Sequence, residues 1–224
     1  LKQGDRLPNE AEMIALFGVS KGTVREALRI LEAEGLITTR TGPGGGSFVN
    51  KVTVEHAKSL LANYFYFERL SLADFYQLRK ILEPELAANL AGRLTEEQLS
   101  ELEALALSHP EPAQSAQEEK EQHIASLRFH QCLAEFSENP LLGFIIAFMA
   151  RSLTDLTVYR RLYDPPNHEL AMKGREHQQR LVNALRRGDA EAARETMASH
   201  MAVAEELMGV QEAELERRFI SVNR

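Results

Sequence analysis

The sequence predicts a mainly α protein in which two short helices and a small β-hairpin precede an antiparallel bundle of six or seven helices. Three observations carry this expectation. Apolar residues recur at helical spacing along nearly the whole chain. Helix-start chemistry, Ser, Thr, Asn or Asp followed three residues later by an acid or amide, recurs at several of the expected boundaries. Beyond Lys51 no stretch reads as a strand, and the one β-prone, Gly-rich passage falls before residue 50.

The first helix is expected from Asn9, which can cap it, to about Phe17; Glu12 completes a capping box behind Pro8. Gly18-Val19-Ser20 interrupts the pattern and Ser20 supplies the next cap. From Lys21, Val24, Ala27, Leu28 and Leu31 fall at i, i+3, i+4 and i+7, the spacing of one buried face, and Gly35 ends the helix. Ile37–Arg40 and Ser47–Val49 are β-prone and flank Thr41-Gly42-Pro43-Gly44-Gly45-Gly46, which predicts a hairpin with a Gly-rich tip.

Helices are then expected near 54–68, 72–91, 95–108, 117–137, 140–161, 168–187 and 190–217. Ser71 with Asp74 and Thr95 with Gln98 form capping boxes, Asp189 is a good cap after Gly188, and Pro84 should bend the helix it interrupts. His109-Pro110-Glu111-Pro112 and the polar residues to Gln117 mark the most exposed loop. These patterns divide the chain into residues 1–50 and 51–224.

Composition narrows the function classes. The 224 residues include 44% apolar residues, one Cys and no Trp, which excludes a disordered chain, a collagen and a disulfide scaffold. The longest uncharged apolar run, Asn139 to Ala150, is shorter than the roughly 20 residues of a membrane-spanning helix, so no span is expected. A lone Cys132 and the lack of a signal-peptide pattern fit a reducing compartment such as the cytoplasm. The 26 Lys and Arg against 33 Asp and Glu give a net charge of −7. Residues 1–50 are neutral, with six bases and six acids, so any nucleic-acid binding must come from a local stripe of bases.

Such a stripe exists. Lys21, Arg25 and Arg29 lie at i, i+4 and i+8 on the second helix, on a face separate from its apolar residues. Ser20 and Thr23 place hydroxyls beside the free N–H groups of the helix start, where phosphate oxygens are favoured. On this helix alone, a solvated surface and a DNA-reading face are equally good accounts.

The surrounding residues add a family resemblance. Leu7-Pro8-Asn9-Glu10, Gly18-Val19-Ser20-Lys21, Val24-Arg25-Glu26-Ala27-Leu28, Leu31 through Ile37, the Gly-rich tip and Phe48-Val49 resemble, in register over residues 1–50, the winged helix-turn-helix of the GntR family of bacterial transcription regulators. The resemblance implies that Lys21 and Arg25 contact DNA with Gly22 and Thr23 between them, and that the tip around Gly44 and Gly45 is the wing that enters the minor groove. It implies one further helix upstream, which a chain opening at Leu1 is expected to lack. Ala11 stands where the family frequently has Arg, so one DNA contact is expected to be missing.

In the second region, His177 and His200 lie eleven residues before Gly188 and eleven after Asp189. At 1.5 Å per residue both stand about 16 Å from the same turn, level across an antiparallel helix pair. Converging imidazoles are common ligands of Zn, Ni and similar ions. His56, His109, His123 and His168 have no comparable placement and read as surface or core residues.

Leu78-Arg79, Leu82-Glu83, Leu86–Ala91, Phe129-His130, Ser137–Leu141, Glu176-His177 and Arg187–His200 together resemble the FCD domain of the FadR subfamily. The resemblance implies a divalent metal, Zn or Ni, on His130, His177 and His200, with Ser126 at a fourth position where the family has Asp. A hydroxyl is a poor substitute for a carboxylate, so weaker metal binding is expected, or a water or an effector carboxylate in the gap; His123, two turns before His130 on nearly the same face, is a less favoured replacement. It also implies that Arg79 lines an effector cavity with Ser126. A buried guanidinium needs a partner, which is either a small carboxylate ligand or Glu83 one turn on. Cys132 reads as core.

The sequence thus predicts a homodimeric regulator that binds a pseudo-palindromic double-stranded DNA operator and responds to a small carboxylate effector. Two other readings are weighed against it. A metal-dependent hydrolase would use the three imidazoles, but no carboxylate is placed as general base and residues 1–50 would be unexplained. A regulator sensing an acyl thioester without metal is disfavoured by the histidine trio and favoured by Ser126.

Overall fold

The computed structural model describes residues 1–68 and 70–222. The chain forms two compact units, Leu1–Glu68 and Arg69–Arg224.

In the first unit, α1 (Glu10–Phe17) starts at the expected capping box. The Asn9 side chain accepts from the Glu12 backbone N–H, and the Asn9 N–H donates to the Glu12 carboxylate. Gly18, at φ +66°, ends it in the left-handed conformation that a residue without Cβ adopts at least cost. α2 (Lys21–Ala33) begins at Ser20, whose hydroxyl accepts from the Thr23 N–H. β1 (Ile37–Arg40) and β2 (Gly46–Val49) pair antiparallel, with Ile37 opposite Val49 and Arg40 opposite Gly46.

Two expectations change in this unit. Val24 is buried and Leu28 and Leu31 are partly covered, but Ala27 is exposed, because α2 packs on α1 and β1, which cover only part of its apolar stripe. The helix α3 (Val54–Glu68) groups with the first unit, so the division falls after Glu68 and not after Asn50. A contact spanning residue 50 explains this: the His56 ring of α3 lies over Gly35, where an added Cβ would meet it at 3.6 Å.

The second unit contains α4 (Leu72–Leu90), α5 (Glu96–Ala106), α6 (Ala116–Glu135), α7 (Pro140–Arg160), α8 (His168–Arg187) and α9 (Ala190–Val222). The Ser71/Asp74 and Thr95/Gln98 capping boxes form as expected, and Asp189 accepts from the Ala192 N–H at the start of α9. α4 continues through Pro84 to Leu90. The core forms where α4 packs along α9, α6 on α7 and α8 on α9, around Leu86, Leu102, Phe129, Leu133, Ile146 and Met197. Gly188, at φ +70°, turns α8 into α9 and lies against Gly92, where side chains would force the helix ends apart.

α7 is longer than the uncharged run suggested, because the helix continues past Arg151 to Arg160. Among the described residues it is the one helix long and apolar enough to cross a membrane by length and composition, with a mean hydropathy of 1.6. Half of that window is buried inside the bundle, including Ile146, Ala150 and Leu153, as in a core helix.

Candidate functional site

The face of α2 that the sequence singles out is exposed. Lys21, Gly22, Thr23, Arg25 and Arg29 are all open to solvent, and the Ser20 and Thr23 hydroxyls lie 2.9 Å apart at the helix start. Arg25 is held across to α1: its Nε donates to Glu10 Oε1 at 2.9 Å, and this bond holds the Glu10 carboxyl below its usual range. Arg29 makes a long contact with Glu26, at 3.8 Å.

Sequence reasoning missed Arg6. Its Nη2 donates to the Gly45 carbonyl at 2.6 Å, and its guanidinium lies so close to Gly46 that an added Cβ would come within 2.8 Å of Nε. Arg6 therefore fastens the N-terminal segment to the hairpin tip. An isolated base before Leu7-Pro8 carries no periodic signal, so only the folded chain reveals this role. Gly44 is exposed at φ +78°, and Gly45 packs against the Arg40 carbonyl too closely for any side chain.

In the bundle, His130 (α6), His177 (α8) and His200 (α9) come together. The His130 and His200 rings stack with centroids 5.1 Å apart, and the His177 and His200 centroids are 5.3 Å apart. The level placement of His177 and His200 across the α8–α9 turn follows from their equal distances to it. Burial holds both His130 and His200 below the ordinary imidazole pKa, so both rings are neutral near pH 7.

Hydrogen bonds fix the tautomers. Glu83 stays ionised because Arg79 and His130 together outweigh its desolvation. It therefore only accepts, and His130 Nδ1–H donates to its Oε2 at 2.5 Å. The His130 Nε2 lone pair then faces His200 Nε2 at 3.2 Å, which supplies the proton. His177 Nδ1–H donates to the Lys173 carbonyl at 2.8 Å, while Nε2 lies 3.2 Å from the Ser199 hydroxyl. Among the described residues, no three His, Cys, Asp or Glu side chains close on a single point. Ser126 Oγ accepts from Gln178 Nε2 at 3.1 Å, so a hydrogen bond occupies the fourth position.

Of the two partners weighed for Arg79, the structure shows Glu83. The Arg79 Nε donates to Glu83 Oε1 at 2.5 Å, and both side chains are almost fully buried. The guanidinium lies against Tyr76, with Cζ 5.3 Å from the ring centroid, and its buried Nη2 has no hydrogen-bond partner among the described residues. Arg79 lines a cavity of about 60 Å³ together with Tyr76, His123, Ser126, His130 and His200. His123, set aside in the sequence, belongs to this wall; its Nε2 lies 3.4 Å from the Thr157 hydroxyl, and burial lowers its pKa to about 4. Its signal was available: His123, Ser126 and His130 share one face of α6 at i, i+3 and i+7. His109 also lines the cavity, whereas Cys132 lies in the core, its thiol pushed up to about 12 by burial.

Residues 1–49 match the family described as bacterial regulatory proteins, gntR family, and residues 74–203 match the FCD domain. The chain is 30% identical over 205 residues to the HTH-type transcriptional repressor NanR of Cronobacter sakazakii, spanning 89% of this chain and 75% of that protein. Identity to NanR of Escherichia coli is also 30%, over 89% of this chain and 74% of that one. The chain belongs to the GntR family of bacterial transcription regulators. Its relatives are regulators and not enzymes, which sets aside the hydrolase reading. Among solved structures, Streptococcus agalactiae GntR superposes with a TM-score of 0.58 at 22% identity, covering 92% of this chain and 90% of that one, and shares the fold. The winged helix-turn-helix expected of residues 1–50 and the helical FCD domain are thus both present.

Two outcomes follow from the buried charges. Glu83→Gln leaves the Arg79 guanidinium without its counter-charge and should cost about 3–5 kcal/mol in urea unfolding, whereas the double variant Arg79→Met/Glu83→Leu should recover most of that loss. The depressed pKa of His123 sets a pH dependence. Below about 6.5 the unfolded chain takes up a proton that the folded imidazole refuses down to about 4. The bundle's melting temperature should therefore fall as pH drops through that window, and His123→Gln should flatten the slope.

Proposed function

We propose that the protein is an effector-responsive regulator, active in the cytoplasm as a homodimer, that binds a pseudo-palindromic operator through α2 and the hairpin tip. A small carboxylate in the bundle cavity changes its DNA affinity. The observation that carries the effector half is the buried Arg79 Nη2, which has no acceptor among the described residues: a carboxylate beside it supplies the missing bond and a second charge-assisted contact. On the DNA side, Ser20, Lys21, Gly22, Thr23, Arg25 and Arg29 form an exposed patch at the start of α2, and Gly44 and Gly45 give the tip a backbone without side-chain bulk. A two-fold dimer would present two such helices to two half-sites. The effector acts by binding one dimer geometry more tightly than another, since equal affinity for both would shift nothing.

The same reading includes a divalent ion, Zn or Ni. The donors suit it: the His130 and His200 Nε2 atoms, 3.2 Å apart, have the separation of two ligands on one ion with bonds of about 2.0–2.1 Å. His177 would join them by releasing Ser199. Glu83, bonded to the far nitrogen of His130, orients that ring and raises its basicity, which supports binding although Ser126 brings no charge. A bound ion would polarise a carboxylate placed against it and Arg79.

DNA binding is tested by gel shift on a duplex selected by the wild type from a random pool. Arg25→Ala should weaken binding at least tenfold and lower the salt dependence by about one counterion, and unchanged affinity would refute the assignment. For the ion, native mass spectrometry of protein incubated with Zn should show one tightly held ion per chain, lost in His200→Ala while the α-helical circular dichroism persists. Equal Zn binding by that variant would place the ion elsewhere.

A further inference from the structure

The cavity has a second polar end, and the unpaired atoms there are of opposite kind to those at Arg79. Glu119, Gln122, Ser126 and His130 lie at i, i+3, i+7 and i+11 of α6 and all line the cavity. Along the helix axis Gln122 stands about 12 Å from His130, the level at which Glu83 ties Arg79. Glu119 is 3% exposed; its Oε1 accepts from the Asn167 N–H at 3.1 Å, while its buried Oε2 has no donor. Gln122 spends its amide N–H on the Glu111 carbonyl, at 2.8 Å, and its buried Oε1 has no donor either.

One end of the cavity therefore offers an unmatched N–H, and the other offers two unmatched oxygen acceptors. Leaving buried polar atoms unpaired is costly, so a ligand that satisfies both ends is favoured over one that satisfies only Arg79. Resting on the effector reading above, we infer that the cavity selects a carboxylate that carries hydrogen-bond donors, ammonium or hydroxyl, at the end remote from its carboxyl group. The carboxylate pairs with Arg79, and the remote donors reach Glu119 and Gln122.

The opposing observation is Arg175, which also lines the cavity and would suit a second carboxylate. Its Nη1 is already committed to the His109 carbonyl at 2.5 Å, where it pins the loop before α6, and the Glu119 carboxylate stands in its field. A second ligand carboxylate would meet Glu119 with like charge, whereas an ammonium or hydroxyl would give it the donor it lacks. Burial raises the Glu119 pKa, the sign of a carboxyl short of partners.

The test uses four six-carbon acids that differ only at the far end: hexanoate, adipate, 6-hydroxyhexanoate and 6-aminohexanoate, each titrated into the full chain by calorimetry. The hydroxyl or the ammonium acid, or both, should bind at least tenfold more tightly than hexanoate and adipate, and the ranking of the two identifies the donor. Glu119→Gln should erase most of the advantage of 6-aminohexanoate and improve adipate, while Arg79→Met should weaken all binding. If hexanoate or adipate binds as well as the donor-bearing acids, the inference fails and the carboxylate cavity stands. If none of the four binds at millimolar concentration, both the inference and the effector reading fail.

Discussion

The bundle is organised by a charge buried among its helices. Arg79 sits on α4 with about 1% of its surface exposed, and it can stay ionised there only because Glu83 stands one turn away on the same helix. Glu83 in turn has an oxygen to spare, which takes the Nδ1 proton of His130 on α6. That bond sets the His130 tautomer, turns its other nitrogen toward His200 on α9, and so links three helices through one carboxylate. Packing alone would hold α4, α6 and α9 together, but it would not decide which nitrogen of each ring faces the centre.

The arrangement also leaves a charge-assisted donor unused. Two carboxylate oxygens are shared between a guanidinium and an imidazole, so Arg79 Nη2 is left over, and Arg79 lines a cavity whose other charged side chains include Glu119 on α6 and Arg175 on α8. The negative charge closest to the histidines comes from Glu83, which touches the far side of the His130 ring. The polar work of the bundle is thus concentrated on one face of α6, and the helix periodicity that buries Phe129 and Leu133 on the other side is what keeps those polar residues in register.

The first unit solves a different problem with the same economy. Residues 1–50 carry no net charge, so attraction to a polyanion cannot come from bulk electrostatics. The acids are instead used locally. Glu12 closes the α1 cap and Glu10 braces Arg25, so that the exposed start of α2 is left with Lys21, the Ser20 and Thr23 hydroxyls and the free backbone N–H groups.

Local chemistry was enough to settle the elements. Capping boxes at Asn9, Ser71 and Thr95, the Gly-rich tip, and apolar residues at helical spacing specify where helices start and which face turns inward, because these signals act within one or two turns. The same short range explains why the exposed bases of α2 and the level pair His177 and His200 could be read in advance: both depend only on spacing along a helix or across one tight turn. What the tertiary structure decided is everything that depends on unlike elements meeting. Arg6 fastening the hairpin tip, α3 closing on Gly35, His123 joining the cavity wall, and the unmatched Glu119 and Gln122 all arise from contacts between residues distant in sequence. No local pattern encodes whether a buried polar atom finds its partner, since that depends on which helix lies opposite it.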